Sequence, residues 1–291
     1  MYWYIYALLA FFIIGIQRFF YNVAAKYNCN SLATTLIFMF SVSSISFIYI
    51  FATNTKISLN SYTLFLSFLN SITFSIATIS HIQALKFSSP SLVYPFIRLN
   101  ILIVVLYSSF ILMERLTSIQ LIGIFISIIA FLVISSEFKN DSYMKKKNKI
   151  GFIWTSFAMV CGAISSISCK YAANCINKFV FIFISYAMST FFLTIGLKLL
   201  NPKENLLSKK NYFKFATITI GILMGILNIL GFYCYLMALE TGPLSIVVTI
   251  NGMHFVIGII MSAIIFKDKI TKKSLYGIFL TIISLILLTN F

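Results

Sequence analysis

The chain has 291 residues, 60% of them hydrophobic and only 10% charged, with a mean hydropathy of +0.99 and a formal net charge of +16. A soluble domain carries about 25% charged residues, so a water-soluble fold is excluded and lipid must solvate most of the surface. The basic excess sits in short connections such as MKKKNK (144–149) and SKKNYFK (208–214), where it anchors helix ends at headgroups; no basic domain remains to hold a nucleic acid.

A helix needs about 20 apolar residues to cross a bilayer. In chain order the runs predict ten spans, at 2–24, 31–52, 61–85, 89–113, 116–135, 150–173, 178–200, 212–239, 243–266 and 271–290, and none alternates with the period of a strand. The first run lacks a basic leader and a small-residue cleavage site, so it reads as a retained helix. The third carries Thr73, Ala77, Ser80 and His81 on one face. The fourth carries Ser91, Tyr94 and Arg98 at i, i+3 and i+7, with Pro95 placed to kink it. In the eighth, Gly221 and Gly225 form a GxxxG, read either as a close contact within the chain or as a homodimer seam, followed by Asn228, Gly231 and Tyr235. The ninth carries Asn251, His254 and Gly258. The five cysteines (Cys29, Cys161, Cys169, Cys175, Cys234) show no metal or redox spacing and read as packing residues.

Shifting the sequence by 154 positions lays 84–135 over 238–289 without a gap. Ala84/Ala238, Leu85/Leu239, Ser91/Ser245, Ser108/Ser262, Thr117/Thr271 and Gly123/Gly277 match, and Glu114 meets Asp268. A shift of 148 brings Ala24–Ala25 onto Ala172–Ala173. The chain therefore divides into a first five-helix repeat at 1–137, a basic connection at 138–149 and a second repeat at 150–291. Five is odd, so the second half enters the membrane from the opposite side. That is the architecture of secondary transporters.

The small and Pro-rich hairpins SSPS (88–91) and TGPLS (241–245), followed by MERLTSIQLIG and KDKITKKSLYG, resemble the drug/metabolite transporter superfamily, specifically its ten-helix EamA-type members. Asp268 stands where that family usually has Glu. The resemblance implies an all-α multi-pass transporter in a bacterial cytoplasmic membrane, with both termini inside. The positive-inside rule points the other way, because the odd-numbered loops hold most Lys and Arg while the termini's side holds only Lys56, Arg115, Lys170 and Lys178.

All six carboxylates fall at helix ends or in loops, so no acid is placed at mid-membrane to carry a lipophilic cation in exchange for a proton. Arg98 is the deep charge, and a charge there is a functional candidate by default. A guanidinium suits a carboxylate or phosphate. The expected solute contacts are Arg98, Tyr94, Asn228, Tyr235, Asn251 and His254; at Arg98 the repeat has Gly252, so the cavity is expected to be asymmetric. Glu114–Arg115 and Asp268–Lys269 are expected to cap the helix that follows each, with gate contacts between halves as the alternative, and Lys170 to be an interfacial anchor. No nucleotide motif or clustered His/Asp/Glu set points to ATP, a metal, a cofactor or enzymatic chemistry. The expected function is secondary transport of a small polar metabolite with an anionic group; a non-transporting sensor or assembly subunit is the alternative, which would purify with a partner.

Overall fold

In hydrocarbon no water is available to backbone N–H and C=O groups, so an apolar run satisfies them internally as helix. The computed structural model describes residues 2–55, 60–88, 90–136, 148–200, 214–267 and 270–289. These form α1 (Trp3–Lys26), α2 (Ser31–Ala52), α3 (Ser61–Phe87), α4 (Pro90–Arg98), α5 (Asn100–Phe110), α6 (Ser118–Ser135), α7 (Asn148–Cys175), α8 (Lys178–Leu200), α9 (Phe215–Thr241), α10 (Leu244–Gly252), α11 (Phe255–Phe266) and α12 (Lys272–Thr289). Large side chains such as Phe51, Phe125 and Phe215 remain exposed on the outer surface, as lipid contact requires.

The fourth and ninth spans are not the continuous helices that the apolar runs predict. Each crosses in two pieces, α4 with α5 and α10 with α11, so the twelve helices among the described residues make ten crossings. At the first break the Leu99 N–H bonds Phe96 O at 3.2 Å and the Leu102 N–H bonds Leu99 O at 2.9 Å. At the second, Met253 N–H reaches Ile250 O at 3.2 Å and Val256 N–H reaches Met253 O at 3.1 Å. Both are single tight turns of i→i−3 bonding. The 154-residue shift carries Leu99 onto Met253, so the breaks are equivalent in the repeat. Pro95 does not mark the first one: α4 stays helical through it and ends at Arg98. The second break follows Asn251–Gly252, two poor helix formers, and the His254 ring competes for the Asn251 carbonyl.

Packing obeys the repeat. If α1 answers to α7, α2 to α8, α3 to α9, α4–α5 to α10–α11 and α6 to α12, the main helix contacts fall into exchanged pairs. The α1–α9 contact answers to α3–α7, α2–α9 to α3–α8, and α1 on α10–α11 to α7 on α4–α5; the α2–α8 and α6–α12 contacts map onto themselves. Single glycines follow the same rule. A Cβ on Gly123 would lie 3.0 Å from Leu288, and one on Gly277 would strike Ile134, the repeat equivalent of Leu288. Likewise Gly242 packs on Trp3 while Gly151 packs on Ser88. The halves thus pack about a pseudo-two-fold axis in the membrane plane, the arrangement of inverted-repeat transporters.

The GxxxG of α9 is spent inside the chain. Gly221 lies against Ile37 and the Thr34 carbonyl, and a Cβ on Gly225 would stand 2.7 Å from Ser41 Cβ. Gly225→Leu is therefore expected to cost about 1–3 kcal/mol by overpacking, seen as earlier melting in detergent. Gly162→Ala, whose added carbon meets only Asn100 Nδ2 at 3.4 Å, should melt like the wild type. Equal melting of the two variants would contradict the α2–α9 seam.

Candidate functional site at the paired helix breaks

Arg98 ends α4, and His254 stands between α10 and α11, so each belongs to one of the equivalent breaks. The repeat-related crossings bring them together: Arg98 Nη2 lies 3.4 Å from His254 Nε2. A guanidinium can only donate, so Nε2 accepts, and His254 is neutral with its proton on Nδ1. That proton is donated to the Asn251 carbonyl, which fixes the ring across the hinge. The Arg98 guanidinium carbon also sits 5.6 Å from the centre of the Phe131 ring on α6, within cation–π range.

Two carboxylates lie among the described residues, and neither pairs with Arg98. Glu240 pairs with Lys178 at 3.0 Å. Glu114 accepts from the Leu244 N–H at 2.6 Å, the Ser245 N–H at 3.3 Å and the Ser245 hydroxyl at 2.8 Å. It therefore caps the N-terminus of α10 in the opposite half, where the helix dipole favours an anion. This corrects the expectation that Glu114 caps the helix after it. That helix, α6, is capped by its own Thr117/Gln120 box, which leaves Glu114 free for the partner repeat. Arg115 is exposed. Asp268 and Lys269 lie outside the described residues.

Lys170 is more than an interfacial anchor. Its ammonium donates to Leu239 O at 2.6 Å and Gly242 O at 2.8 Å, closing the C-terminal carbonyls of α9. Glu114 and Lys170 thus grip the two sides of one hairpin, between α9 and α10, at the face that carries both termini. Tyr107 and Tyr171 join α5 to α7 at the same end, 2.7 Å between hydroxyls. That face is sealed by charge-assisted contacts.

The other expected contacts divide. Tyr94 lies at the Arg98 site, 42% exposed, its ring edge-on to His81 at 5.4 Å. Asn251 Oδ1 and His81 Nε2 are buried without a hydrogen-bond partner, as is Asn100 Oδ1 at the start of α5. Asn228 is buried and donates to Gln17 Oε1 at 3.3 Å, so it ties α9 to α1. Tyr235 is 5% exposed and stacks on Phe232. No contact among the described residues joins Asn228 or Tyr235 to Arg98. Thr73 on α3 bonds back to the Leu69 carbonyl at 2.6 Å and offers the cavity no free hydroxyl hydrogen. Three contributors escape a reading by spacing: Gln17, Arg18, whose charge is counted with the loop after the first span, and Asn70, which accepts from Ser165 and Ser168 across the α3–α7 seam at 2.7 and 3.3 Å. For Gln17 and Arg18 the only sequence signal is depth, eight or more residues inside Lys26.

The sequence model of the EamA-like transporter family matches residues 1–136 and 149–290. The chain belongs to the EamA-like transporter family. Curated protein sequences give no match to it. A solved crystal structure shares the fold of this EamA-like chain, with a TM-score of 0.79 over 97% of this chain and 96% of that one, at 14% identity. Family membership makes the protein a multi-pass membrane transporter of the drug/metabolite type that handles a small-molecule solute in a lipid environment.

In this EamA-like chain Lys170→Met would leave the Leu239 and Gly242 carbonyls without their donor, a loss of about 1–3 kcal/mol. Melting in detergent should drop accordingly, and Lys170→Arg should recover part of the loss. Wild-type melting of Lys170→Met would show that the ammonium is not a cap.

Proposed function

We propose that this transporter moves a small anionic metabolite by alternating access, with Arg98 holding the negative group. The observation that carries the reading is a guanidinium placed at the break of a discontinuous span with no carboxylate beside it among the described residues. A charge that deep is retained at a cost unless something compensates it. A neutral imidazole and an aromatic ring supply hydrogen bonding and polarisability but no negative charge. A carboxylate or phosphate on the guanidinium fork of Arg98 would supply it with bidentate geometry, taking the place of the His254 ring as acceptor. Phe131 and Tyr94 would flank the solute, and the acceptor oxygens of Asn100 and Asn251 would take a hydroxyl or ammonium donor borne by the solute away from its anionic group. Without a nucleotide motif in the sequence, an ion gradient or solute exchange is the energy source assigned here.

The same proposal makes Glu114 a gate. Its cap on α10 joins the two halves at the terminal face, and such a cap is worth about 1 kcal/mol, with a similar increment from the dipole. Conformers separated by a few kcal/mol are shifted by contacts of that size. The repeat sets Asp268 and Ser91 at the positions equivalent to Glu114 and Ser245.

Arg98→Gln should abolish stabilisation by carboxylate and phosphate solutes in a thermal-shift screen, and abolish their uptake into vesicles, while the protein elutes and melts normally without solute. Stabilisation that survives the substitution would remove Arg98 from the solute site. For the gate, Val248→Cys is placed in a chain whose native cysteines are Ser. Adding Glu114→Ala should then speed labelling by an impermeant thiol reagent supplied at the terminal face. Unchanged labelling would sink the gate assignment.

A further inference from the structure

The inward stripe of α1 runs Ala7, Phe11, Ile14 and then Arg18, at steps of four, three and four residues. The first three are buried, at 0%, 3% and 7% exposure. Arg18 continues the stripe, yet its side chain is exposed. Helical geometry does not let it leave the inward face. The space that face looks into must therefore be open to water at the level of Arg18, on the side of the odd-numbered loops.

The position of α1 fixes what that space contains. A Cβ on Gly15 would lie 2.9 Å from the His254 carbonyl and 2.5 Å from Ile257 Cβ, so α1 runs directly over the second hinge. Arg18 is one turn further along. The seam continues beyond it through Asn22 Nδ2, which donates to Ser262 Oγ at 3.0 Å, and Lys26, whose ammonium sits 3.6 Å from the centre of the Phe266 ring. Lys26 is thus the residue of α1 at the membrane surface, and Arg18 lies eight residues, about 12 Å, inside it. Arg18 is within Coulombic reach of His81, Tyr94, Arg98, Tyr186 and His254. Its guanidinium touches a ring, Tyr21 at 5.7 Å, and among the described residues it has no carboxylate.

We propose that Arg18 and Arg98 form a two-cation site for a dianionic solute, one with two carboxylates or one phosphate monoester. The assignment rests on the anion-site reading above and narrows it. A monoanion at Arg98 would leave the second guanidinium uncompensated in the same cavity, whereas a dianion spanning α1 and the α4–α5 break neutralises both. The groups within electrostatic reach of both cations are His81 from α3, Tyr94 from α4 and His254 from the α10–α11 hinge, and Tyr186 from α8 is within reach of Arg18. None of them supplies a standing negative charge.

The test uses full-length protein in detergent and two matched pairs of probes, succinate against propionate and glycerol 3-phosphate against dimethyl phosphate. Wild type is expected to bind the dianion of at least one pair about tenfold more tightly than its monoanion; the pair that discriminates tells carboxylate from phosphate. Arg18→Gln should weaken that dianion by about tenfold and leave the monoanion within about twofold, with Arg18→Lys retaining the preference. Unaltered elution and circular dichroism establish that the variants fold. If Arg18→Gln weakens both members alike, or neither, the two-cation site is wrong. If wild type binds none of the four probes, or Arg98→Gln leaves their binding unchanged, the anion-site reading itself fails, a result distinct from the first.

Discussion

A backbone polar group facing hydrocarbon has nowhere to bond, and that rule governs every departure from straight helix in this protein. The two departures at mid-membrane are paid out of the chain itself: a tight turn of i→i−3 bonds at Leu99, a similar turn at Met253, and an imidazole N–H on the Asn251 carbonyl. Neither break faces lipid. The repeat brings the two hinges face to face, so the same contact that satisfies one of them, the ring of His254, also meets the guanidinium at the other. Broken helices around a central cavity are tolerated for this reason, and solute sites are found there.

Symmetry of packing and asymmetry of chemistry coexist because they are carried by different residues. Helix contacts, the Gly123–Leu288 and Gly277–Ile134 pair, and the two hairpin contacts at Gly242 and Gly151 repeat almost side chain for side chain. At the hinges the pattern stops. Arg98 corresponds to Gly252, where an added Cβ would already stand 3.2 Å from Ile101. The second half has no side chain there to answer the guanidinium. The two positive charges of the cavity therefore come from α1 and α4, both in the first half, and the second half contributes the neutral ring and the capped hairpin.

The spans and the repeat were legible because both are written in composition and periodicity: long apolar runs, and identical residues 154 apart. The hinges were not. Pro95 is the conspicuous helix breaker, yet α4 runs through it and ends at Arg98, whose guanidinium meets the His254 ring of the second break. Polar stripes misled for a related reason. Thr73 returns its hydroxyl hydrogen to the carbonyl four residues back, at 2.6 Å, so it is polar in sequence and satisfied in structure. Asn228 gives its amide hydrogen to Gln17 on α1, a tie that spacing within one helix cannot reveal. Glu114 could be recognised as a turn residue. Its partner lies 130 residues away, and only the fold makes the α10 N-terminus its nearest positive dipole. Arg18, read as a loop charge, becomes a cavity residue once its stripe-mates Phe11 and Ile14 are seen to be buried.

These placements also bear on how two guanidiniums can share one region inside a membrane protein. At the terminal face the Glu114 cap on α10 and the Tyr107–Tyr171 hydrogen bond join the two halves, whereas Arg18 and Tyr94 remain exposed toward the opposite face. Water entering from that side screens the cations while no solute is bound. Closing the open face over an empty site would withdraw that water and strand two charges in low dielectric, a penalty of several kcal/mol for each ion. A dianionic solute removes most of it. On the proposed reading the site would then close readily when loaded and reluctantly when empty, and such coupling between binding and closure would keep the transporter from leaking.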